Sequence, residues 1–464
     1  MRLPVNKKLL ERYATSAPRY TSYPTAIDWV ADSFEPLDYA QHLTNAANNS
    51  SAPLSVYIHI PFCAEMCLYC GCNVVITRRE DRVERYLKQL ETEFERVAET
   101  GIGRRQVHQY HWGGGTPTHL TCDQIRRVHA MFTKVFTLTD DAEVAIEVDP
   151  RVTNQEQLEV LAELGFNRIS MGVQDFDPKV QEAVKRVQPK EITVGLVESA
   201  RKLGIGSVNL DLIYGLPHQS RALFAETVKE TIILRPERVA LFHYAHVPWM
   251  KKHQTAMDME SAPSSEEKIE IFLDSVEAFQ DAGYEYLGLD HFALPDDELA
   301  VALKNRTLHR NFMGYTTHAG TEMVSFGVSS IGEVDGCFVQ NKPVEIDYLT
   351  ALEGGGLAAL RGHKMSGEDC LRRDIILGIM CNGYLDKQQI QERYGIDFDQ
   401  HFAAQLKALV PMQDDGLVLL HPHAIELTSL GQMFMRNVAV QFDSYFAARQ
   451  EQGKTGEGTF SKTL

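Results

Sequence analysis

The sequence has no uninterrupted apolar run of roughly eighteen residues, the length that a membrane-spanning helix requires. Its N-terminal stretch, MRLPVNKKLLERYATSAPRY, also lacks the apolar core of a secretory signal peptide. These two absences predict a cytoplasmic protein that does not enter a membrane.

Positive charge is scarce as well. The chain has 46 lysines and arginines against 63 aspartates and glutamates, which gives a formal net charge of −17 at pH 7. Broad binding to nucleic acid or to acidic lipid requires a basic face, so we expect neither partner. The 464 residues are enough for one large domain and a smaller one. We expect the protein to be a monomer.

Cysteine is also uncommon, and half of the eight cysteines lie in one stretch, LSVYIHIPFCAEMCLYCGCN, at positions 54–73. Cys63, Cys67 and Cys70 form a C-x₃-C-x₂-C pattern, and Cys72 follows two positions later. Three thiolates this close on a loop after a strand can hold one face of an iron–sulfur cluster and leave one iron without a protein ligand. The isolated cysteines are expected to be small buried side chains; they are Cys122, Cys337, Cys370 and Cys381.

Other uses of these cysteines fit the spacing less well. A structural zinc site takes its ligands from two separated pairs, because four ligands within about ten residues hardly reach tetrahedral geometry. A disulfide is disfavoured because nothing marks the chain as secreted. Ferredoxin loops have the spacings C-x₂-C-x₂-C or C-x₄-C-x₂-C, and neither is present. The pattern therefore favours a cluster with one open iron.

From position 54 onward, β-branched and aromatic runs alternate with helical periodicity. Strands are predicted at 54–60, 107–112, 143–148, 168–173, 208–214, 239–245 and 284–289. Helices are predicted at 83–97, 155–164, 192–203, 223–234 and 266–279. This alternation predicts an α/β fold with a parallel sheet, either open or closed into a barrel.

Functional groups of such folds lie at the carboxyl ends of the strands. Gly113, Gly114 and Gly115 follow the second predicted strand, where backbone N–H groups without a Cβ can approach an anionic or amino-acid ligand, although a plain tight turn is the alternative. Glu147 ends the third strand and would either bind a ligand or form a structural salt bridge. Arg186 suits a bidentate grip on a carboxylate.

The two ends of the chain differ from its centre. The first fifty residues look irregular, and Arg19, Tyr20 and Tyr23 within APRYTSYPT either form a rim over a pocket or simply pack. From Ser366, a capping box, short helices, a hairpin and a last helix predict a smaller, mostly helical, winged-helix-like domain. DNA is the usual partner of that fold, but the acidity here favours a cover over the barrel mouth.

The predicted organisation has five segments: an N-terminal arm (1–50), a catalytic barrel (51–300), an extension that covers the active site (301–365), the C-terminal domain (366–450) and a disordered tail (451–464).

With Tyr69 before its last cysteine, the C-x₃-C-x₂-C motif resembles the signature of the radical S-adenosylmethionine (SAM) enzymes. RYTSYPT, VYIHIPFC, CGCN, HWGGGTPT, IEVDPR, DLIYGLP and HRNFMGYTT extend the resemblance to one family, the oxygen-independent coproporphyrinogen III oxidases. The resemblance covers nearly the whole chain. It departs from the family mainly at 249–258 and after 450. Both regions are expected to be peripheral, although the first follows a strand end and could alter substrate contacts.

This resemblance implies a partial (β/α) barrel of the radical SAM type and two cofactors, a 4Fe-4S cluster and SAM. Cys63, Cys67 and Cys70 would hold the cluster, whereas Cys72 would not be a ligand. Contacts to the cluster-bound SAM would come from Tyr57, Gly114 and Glu147. The family binds a second SAM, whose contacts would map onto Tyr69, Gly115, Thr116, Gln174, Arg186, Asp211, Ala245 and Ile331. Candidates for substrate contacts are Arg19, Tyr20, Tyr23 and Arg310, with Arg168 and Arg373 as further arginines.

The implied reaction belongs to porphyrin and heme biosynthesis. Two propionates of coproporphyrinogen III are oxidatively decarboxylated to vinyl groups, giving protoporphyrinogen IX. Two SAM molecules are consumed through 5′-deoxyadenosyl radicals, and a low-potential donor of the flavodoxin or ferredoxin type supplies the electrons.

Two other functions remain open. A related heme chaperone shares the fold and the motif but transfers heme. Such chaperones lack the PRYTSYPT arm and usually the cysteine two residues past the motif, and both features are present here. A nucleic-acid-modifying radical SAM enzyme is prompted only by the winged-helix-like end.

Overall fold

The computed structural model describes residues 7–13, 15–29 and 33–453. It divides into two compact units. The sheet unit comprises Val30–Ser264 and Gly320–Lys364, and the winged-helix unit comprises Met1–Trp29, Ser265–Ala319 and Met365–Leu464. The five segments predicted from the sequence are a finer division and stay a prediction. Most of the predicted disordered tail, residues 454–464, lies outside the described residues.

The sheet unit is built on one large sheet. Its strands in chain order are Leu54–Ile60 (β1), Val107–Gly114 (β2), Leu138–Val148 (β3), Arg168–Gln174 (β4), Ser207–Tyr214 (β5), Arg238–His243 (β6), Met323–Phe326 (β7), Ile331–Val334 (β8), Cys337–Asn341 (β9) and Ala359–Lys364 (β10). Within this unit the spatial order is β10-β9-β8-β7-β1-β2-β3-β4-β5-β6. Strands β7 and β1 to β6 run parallel to one another, whereas β8, β9 and β10 are added antiparallel beyond β7.

The parallel sheet confirms the predicted α/β fold. Strand β1, LSVYIHI, is buried at every position except Tyr57. Leu54, Val56, Ile58 and Ile60 form its apolar face, and Ser55, Tyr57 and His59 form a polar face whose side chains make hydrogen bonds. Its predicted bounds are those of the structure. The prediction for 284–289 was only partly right, because Glu285–Gly288 lies in the winged-helix unit and pairs antiparallel with His291–Ala293.

Helices pack against this sheet and form the core with it. They are Tyr39–Asn49, Glu80–Glu99, Cys122–Val135, Gln155–Glu163, Pro178–Ala183, Lys190–Lys202, Arg221–Leu234 and Glu345–Glu353, with short 3₁₀ helices at Pro36–Asp38, Ile102–Arg104, Pro117–His119, Lys252–Ala256 and Met259–Ser261. Aromatic rings join the two layers: Phe94 stacks on Phe326 and Tyr110 on Phe132, each at 3.8 Å between ring centroids. These stacked pairs bury aromatic surface between helix and strand and so help to hold the two layers together.

The winged-helix unit contains the predicted C-terminal domain. Its helices are Lys7–Tyr13, Ser265–Asp281, Glu298–Lys304, Gly367–Asn382, Lys387–Tyr394, Phe398–His401, Ala403–Asp414, Ser429–Met433, Met435–Ala439 and Ser444–Glu451, with a 3₁₀ helix at Val440–Phe442. Two further hairpin strands are His309–Asn311 and Gly314–Thr316. A three-stranded sheet has the order Tyr384–Asp386, Ala424–Leu427 and Val418–Leu420. The capping box at Ser366 and Asp369 is present, which confirms the predicted start of the helix Gly367–Asn382.

Some expectations for smaller features were wrong. The first fifty residues are not irregular throughout, because helices occupy Lys7–Tyr13 and Tyr39–Asn49. Cys337 and Cys381 are buried as expected, but Cys122 and Cys370 are only partly buried. In the part of the chain that the structure describes, no helix is both long and apolar enough to cross a membrane.

Candidate active site

The cysteine loop, which we define as residues 63–72, is closed at its base. Two short strands, Phe62–Cys63 and Val75–Ile76, pair in parallel on either side of it. The Val75 N–H donates to the Pro61 carbonyl at 2.7 Å, and the Thr77 N–H donates to the Cys63 carbonyl at 3.0 Å. Because both ends of the loop are held next to the end of β1, its cysteines are presented together at the carboxyl edge of the parallel sheet.

The three motif cysteines have polar partners. The Sγ atom of Cys63 lies 3.4 Å from Thr116 Oγ1. Cys67 Sγ accepts from Arg151 Nη2 at 3.5 Å and from Arg186 Nη1 at 3.7 Å. A hydrogen bond from the Cys72 thiol lowers the pKa of Cys70. Burial raises the pKa of the Cys63 thiol to about 11, so the bound iron itself would have to hold this cysteine as the thiolate.

A single metal ion would need three ligands converging on one point. Among residues 7–13, 15–29 and 33–453, no group of three His, Cys, Asp or Glu side chains meets that condition. A 4Fe-4S cluster binds each thiolate at a different iron, so its ligands need no common centre. The finding therefore does not argue against a cluster on Cys63, Cys67 and Cys70.

The glycine turn after β2 is a narrow cradle. A Cβ at Gly113 would lie 3.0 Å from the Glu147 carboxylate, and one at Gly115 would lie 2.5 Å from the Pro61 carbonyl oxygen. At Gly114, φ is +118° and a Cβ would lie 2.7 Å from the His59 ring. Gly114 and Gly115 therefore have no room for a side chain, and the turn brings the backbone close to Glu147 and His59.

Glu147 lies beside this cradle. It accepts from the Gly114 N–H at 3.1 Å, and its Oε1 lies 3.8 Å from His111 Nε2. Burial raises the pKa of Glu147, but the hydrogen bond and charge of His111, with the Gly114 N–H, outweigh this and leave the pKa below its ordinary value. The ring of Tyr57 stacks on His111 at 5.9 Å, and the Tyr57 hydroxyl lies 3.1 Å from His59 Nδ1. Tyr57, Gly114 and Glu147 are thus one connected group.

A second group centres on Arg186. Its Nη1 donates to Asp149 Oδ2 at 3.0 Å, and its Nη2 donates to the Gly172 carbonyl at 2.6 Å. The Arg186 Nε and the Gln174 Oε1 are buried and have no hydrogen-bond partner. Gln174 also has a φ of +69°, a backbone conformation that costs a non-glycine residue energy. Gln174 and Arg186 are both predicted to contact a cofactor. An unsatisfied buried polar atom on each of them fits a polar ligand that supplies the missing hydrogen-bond partners.

Asp211 ends this row of polar groups on β5. It accepts from Asn209 Nδ2 at 2.8 Å and from Ser170 Oγ at 3.3 Å. Burial and then the charge of Glu147 raise the pKa of Asp211 to about 7, although these hydrogen bonds act in the opposite direction. The side chain therefore changes charge near neutral pH.

We expect this raised pKa to appear in the stability of the cofactor-free protein. The folded state holds the Asp211 proton more tightly than the unfolded state, so the contribution is complete below about pH 3.8 and is lost as the pH rises to about 7. Over this pH range the free energy of unfolding of the wild type should fall by up to about 4 kcal/mol because of Asp211, and Asp211→Asn should abolish this fall. Urea unfolding from pH 4 to 8 measures it, with the exposed Asp140→Asn as control. Parallel curves for wild type and Asp211→Asn would contradict the assignment.

Residues 249–258 are not peripheral, which corrects the expectation from the sequence. Lys251 Nζ donates to the Cys72 carbonyl at 2.8 Å, and Gln254 Nε2 donates to the Tyr69 carbonyl at 3.0 Å. His253 Nε2 lies 2.8 Å from the Cys70 carbonyl oxygen. Gln254 Nε2 also lies 3.3 Å from the carbonyl of Ala245, a predicted contact of the second SAM. Sequence analysis missed these donors because they reach the cysteine loop from about 180 residues away.

The remaining predicted cofactor residues lie at the same edge of the sheet. The Gly115 N–H donates to the Ile60 carbonyl at 2.8 Å, and the Thr116 N–H donates to the Phe62 carbonyl at 2.9 Å. Ile331 begins β8, which is antiparallel to β7, so it lies at the carboxyl end of β7. All predicted ligands of the cluster and of SAM therefore belong to the sheet unit. Asp149, Arg151 and Gln254 join them as residues that the sequence did not single out as ligands.

The four substrate candidates lie in the winged-helix unit. Arg19 forms an ion pair with Asp290. Tyr20 and Tyr23 are buried, and their hydroxyls bind Asp443 at 2.9 Å and Ser444 at 3.0 Å. The sequence left open whether these residues line a pocket or simply pack, and Tyr20 and Tyr23 are packed. Any contact with substrate stays a prediction.

Among the candidate arginines, Arg310 has unused donors. It is 7% exposed, its Nε and Nη1 have no hydrogen-bond partner, and its guanidinium lies 5.0 Å from the centroid of the Tyr315 ring. Arg168, in the sheet unit, has its Nη1 at 3.2 Å from Glu143. Arg373 donates to Met365 Sδ at 3.3 Å.

Comparisons with known proteins identify the relatives of this chain. The model of the Radical SAM superfamily matches residues 57–231, and that of the HemN C-terminal domain matches residues 365–434. Oxygen-independent coproporphyrinogen III oxidases from Salmonella typhimurium and Pseudomonas aeruginosa are 41% and 42% identical, each over 96% of both chains. The structure of coproporphyrinogen III oxidase (HemN) from Escherichia coli, described as a radical SAM enzyme, matches with a TM-score of 0.91 at 39% identity, covering 96% of this chain and 100% of that one.

Proposed function

The chain belongs to the oxygen-independent coproporphyrinogen III oxidases, a family of radical SAM enzymes, and from this premise we propose that it performs the family's reaction. It oxidatively decarboxylates two propionates of coproporphyrinogen III to vinyl groups and so forms protoporphyrinogen IX in porphyrin biosynthesis. Each propionate loses carbon dioxide, one hydrogen atom and one electron. The observation that supports this most directly is the cysteine loop clamped beside the glycine cradle, at the strand ends where the family's chemistry takes place.

Cys63, Cys67 and Cys70 would hold the 4Fe-4S cluster. Together with SAM, this cofactor supplies a carbon-centred radical that no amino-acid side chain can generate. Tyr57, Gly114 and Glu147 would position SAM, because the glycine turn brings the backbone close to the Glu147 carboxylate, which can accept from an amino or hydroxyl group of the ligand. The guanidinium groups of Arg151 and Arg186 donate to Cys67 Sγ, and their positive charge would stabilise the anionic thiolates that hold the cluster.

A second SAM site is the finer part of this proposal. Its contacts would be Tyr69, Gly115, Thr116, Gln174, Arg186, Asp211, Ala245 and Ile331. The unsatisfied Gln174 Oε1 and Arg186 Nε support it, because an amino or hydroxyl donor and a carboxylate acceptor on one ligand would satisfy both. Two decarboxylations consume two SAM molecules, which agrees with two sites.

Arg310 would bind a propionate of the substrate. A buried guanidinium with two unused donors is costly in an empty site, and a carboxylate accepts from such a fork in a bidentate geometry. We also propose a flavodoxin or ferredoxin as electron donor. The structure describes all eight cysteines, and each is a free thiol, which supports placement in the reducing cytoplasm.

Anaerobic reconstitution tests this function. The protein is loaded with iron and sulfide and incubated with SAM, dithionite and coproporphyrinogen III, and the porphyrin is followed by mass spectrometry. We expect two successive losses of the mass of one formic acid unit, with methionine and 5′-deoxyadenosine formed in parallel. Tight heme binding without any consumption of coproporphyrinogen would instead identify a heme chaperone. SAM cleavage without porphyrin change would keep the superfamily and reject the substrate.

A further inference from the structure

Glu93 is a buried carboxylate to which the proposed reaction assigns no role. It lies on the helix Glu80–Glu99 and is 1% exposed. Its Oε2 accepts from the Gly327 N–H at 2.8 Å and from the Tyr348 hydroxyl at 2.7 Å, and its Oε1 accepts from Asn341 Nδ2 at 2.6 Å. A buried carboxylate needs such donors, because burial of a charge without hydrogen bonds is costly.

The charged form of Glu93 is the one that these three donors favour. Burial raises the pKa of Glu93 to about 6, and the hydrogen bonds from Tyr348, Gly327 and Asn341 and the charge of Arg96 act in the opposite direction. At pH 8 the side chain is therefore ionised, and both of its oxygens can only accept.

Two of the donors hold the turn between β7 and β8, which we define as residues 327–330. Asn341 Nδ2 also lies 3.0 Å from the Gly327 carbonyl oxygen and 3.2 Å from Ser330 Oγ, and the Asn341 N–H donates to the Ser330 carbonyl at 2.9 Å. Within the turn, the φ of Ser329 is +59°, which costs a non-glycine residue energy. A strained turn of this kind persists because groups outside it, Glu93 among them, hold its backbone.

The same turn lies against the end of β1. Tyr86, on the helix that carries Glu93, donates its hydroxyl to the His59 carbonyl at 2.7 Å and accepts from the Val328 N–H at 3.1 Å. At Gly327, where φ is +95°, a Cβ would lie 2.5 Å from the Tyr86 hydroxyl and 2.6 Å from the His59 carbonyl oxygen. The turn and the backbone of His59 are therefore in close contact, and a shift of one must displace the other.

Residues that are predicted to contact SAM lie on both sides of this contact. Ile331 directly follows the turn and is only partly buried. On the β1 side, the His59 ring lies 3.1 Å from the Tyr57 hydroxyl and would be 2.7 Å from a Cβ at Gly114. The position of the turn thus influences contacts that are expected in both predicted SAM sites.

We propose that Glu93 is a positioning residue for SAM, which fixes the turn 327–330 and through it the places of Ile331 and His59 beside the cofactor. The inference rests on the proposed function, because it requires the SAM contacts that the family's reaction implies. Glu93 acts through the Gly327 N–H and the Asn341 amide and makes no contact with SAM itself. No bond forms or breaks at Glu93 in this role.

A carboxylate that only stabilises the fold is the alternative, and the hydrogen-bond pattern offers variants that separate the two roles. Glu93→Gln keeps the size of the side chain but turns an N–H toward one of the three donors. Asn341→Ala removes the side-chain bonds to Gly327, Ser330 and Glu93. Tyr348→Phe is the matched control, because it removes one hydrogen bond from Glu93 and leaves those that hold the turn.

The variants are compared with wild type after anaerobic reconstitution with iron and sulfide, at pH 8. Calorimetry gives the Kd for SAM, and 5′-deoxyadenosine formation with dithionite gives the KM for SAM and kcat. Iron content and urea unfolding report on cluster assembly and stability. Hydrogen exchange at the backbone amides of residues 327–331 reports on the turn itself and does not depend on activity.

We expect Glu93→Gln and Asn341→Ala each to raise the Kd and the KM for SAM about tenfold and to accelerate exchange at Gly327 and Val328. Iron content should be unchanged, and kcat at saturating SAM should stay within about twofold of wild type. Tyr348→Phe should unfold at a lower urea concentration but keep the Kd for SAM within about twofold of wild type.

An unchanged Kd in both turn variants would overturn the proposal, and so would an equal rise of the Kd in Tyr348→Phe, which would assign the effect to lost stability. Should Glu93→Gln fail to fold, Asn341→Ala decides the outcome in the same way. A wild-type protein that binds SAM but leaves coproporphyrinogen III unchanged would refute the proposed function instead, and the SAM affinities of the variants would still decide the role of Glu93.

Discussion

Alanine variants of Cys63, Cys67 and Cys70 are expected to lose the iron–sulfur cluster and to lower SAM cleavage by a factor of at least about 10³. Each thiolate would be one of only three protein ligands of the cluster, and the loop that presents them is clamped at both ends. At Cys67 the loss is compounded, because the guanidinium groups of Arg151 and Arg186 would lose the anion that they face.

Iron and sulfide content, visible absorbance and 5′-deoxyadenosine formation measure this result in anaerobically reconstituted protein. Cys122→Ala is the matched control, because it removes a partly buried thiol from a helix of the same unit without touching the loop. Cys72→Ala should also retain its iron if Cys72 is not a ligand. A brown centre and native SAM cleavage in any of the three motif variants would contradict the assignment of that cysteine.

Local patterns in the sequence were sufficient for the scaffold. The strand at Leu54–Ile60 was predicted with its observed bounds, because β-branched and aromatic residues alternate along it and it ends just before the cysteines begin. The helix Cys122–Val135 was omitted, although Thr121 and Gln124 form a capping box and Ile125, Val128 and Phe132 keep helical spacing. The sequence therefore contains the signals for this helix, and the prediction did not use them.

Sequence analysis found the residues of the site only where the residue type itself indicates a function, as cysteine and glycine do here. Cysteine spacing and three consecutive glycines identified the loop and the cradle. Gln254 and Arg151 carry no such mark, since an amide or a guanidinium fits most surfaces. Their role follows from hydrogen bonds to Tyr69 and Cys67, which depend on how β3 and the segment after β6 meet the loop. Such long-range contacts become visible only when the sheet is assembled.

Replacing Gly114 by alanine is expected to lower kcat/KM by a factor of at least about 100 while the cluster still assembles. The φ of +118° disfavours any L side chain, and the new Cβ would lie 2.7 Å from the His59 ring. That ring cannot turn aside freely, because its nitrogens are engaged by the Asn73 carbonyl at 3.0 Å and the Tyr57 hydroxyl at 3.1 Å. The strain therefore displaces Tyr57 and the Gly114 N–H, both predicted to contact SAM.

Gly165→Ala is the control that separates the steric clash of a new Cβ from the conformational cost of a positive φ. Gly165 has a φ of +86°, but a Cβ there would meet no heavy atom within 4 Å, so this variant carries the conformational cost of about 1 kcal/mol without any collision. It should unfold at a lower urea concentration and keep its turnover within about twofold of wild type. Iron content, SAM affinity and turnover are measured for both variants. Gly114→Ala should behave as Gly165→Ala does only if a methyl group in the cradle left the bound ligand undisturbed. Equal SAM affinity and equal turnover of the two variants would therefore show that SAM is not held at the cradle.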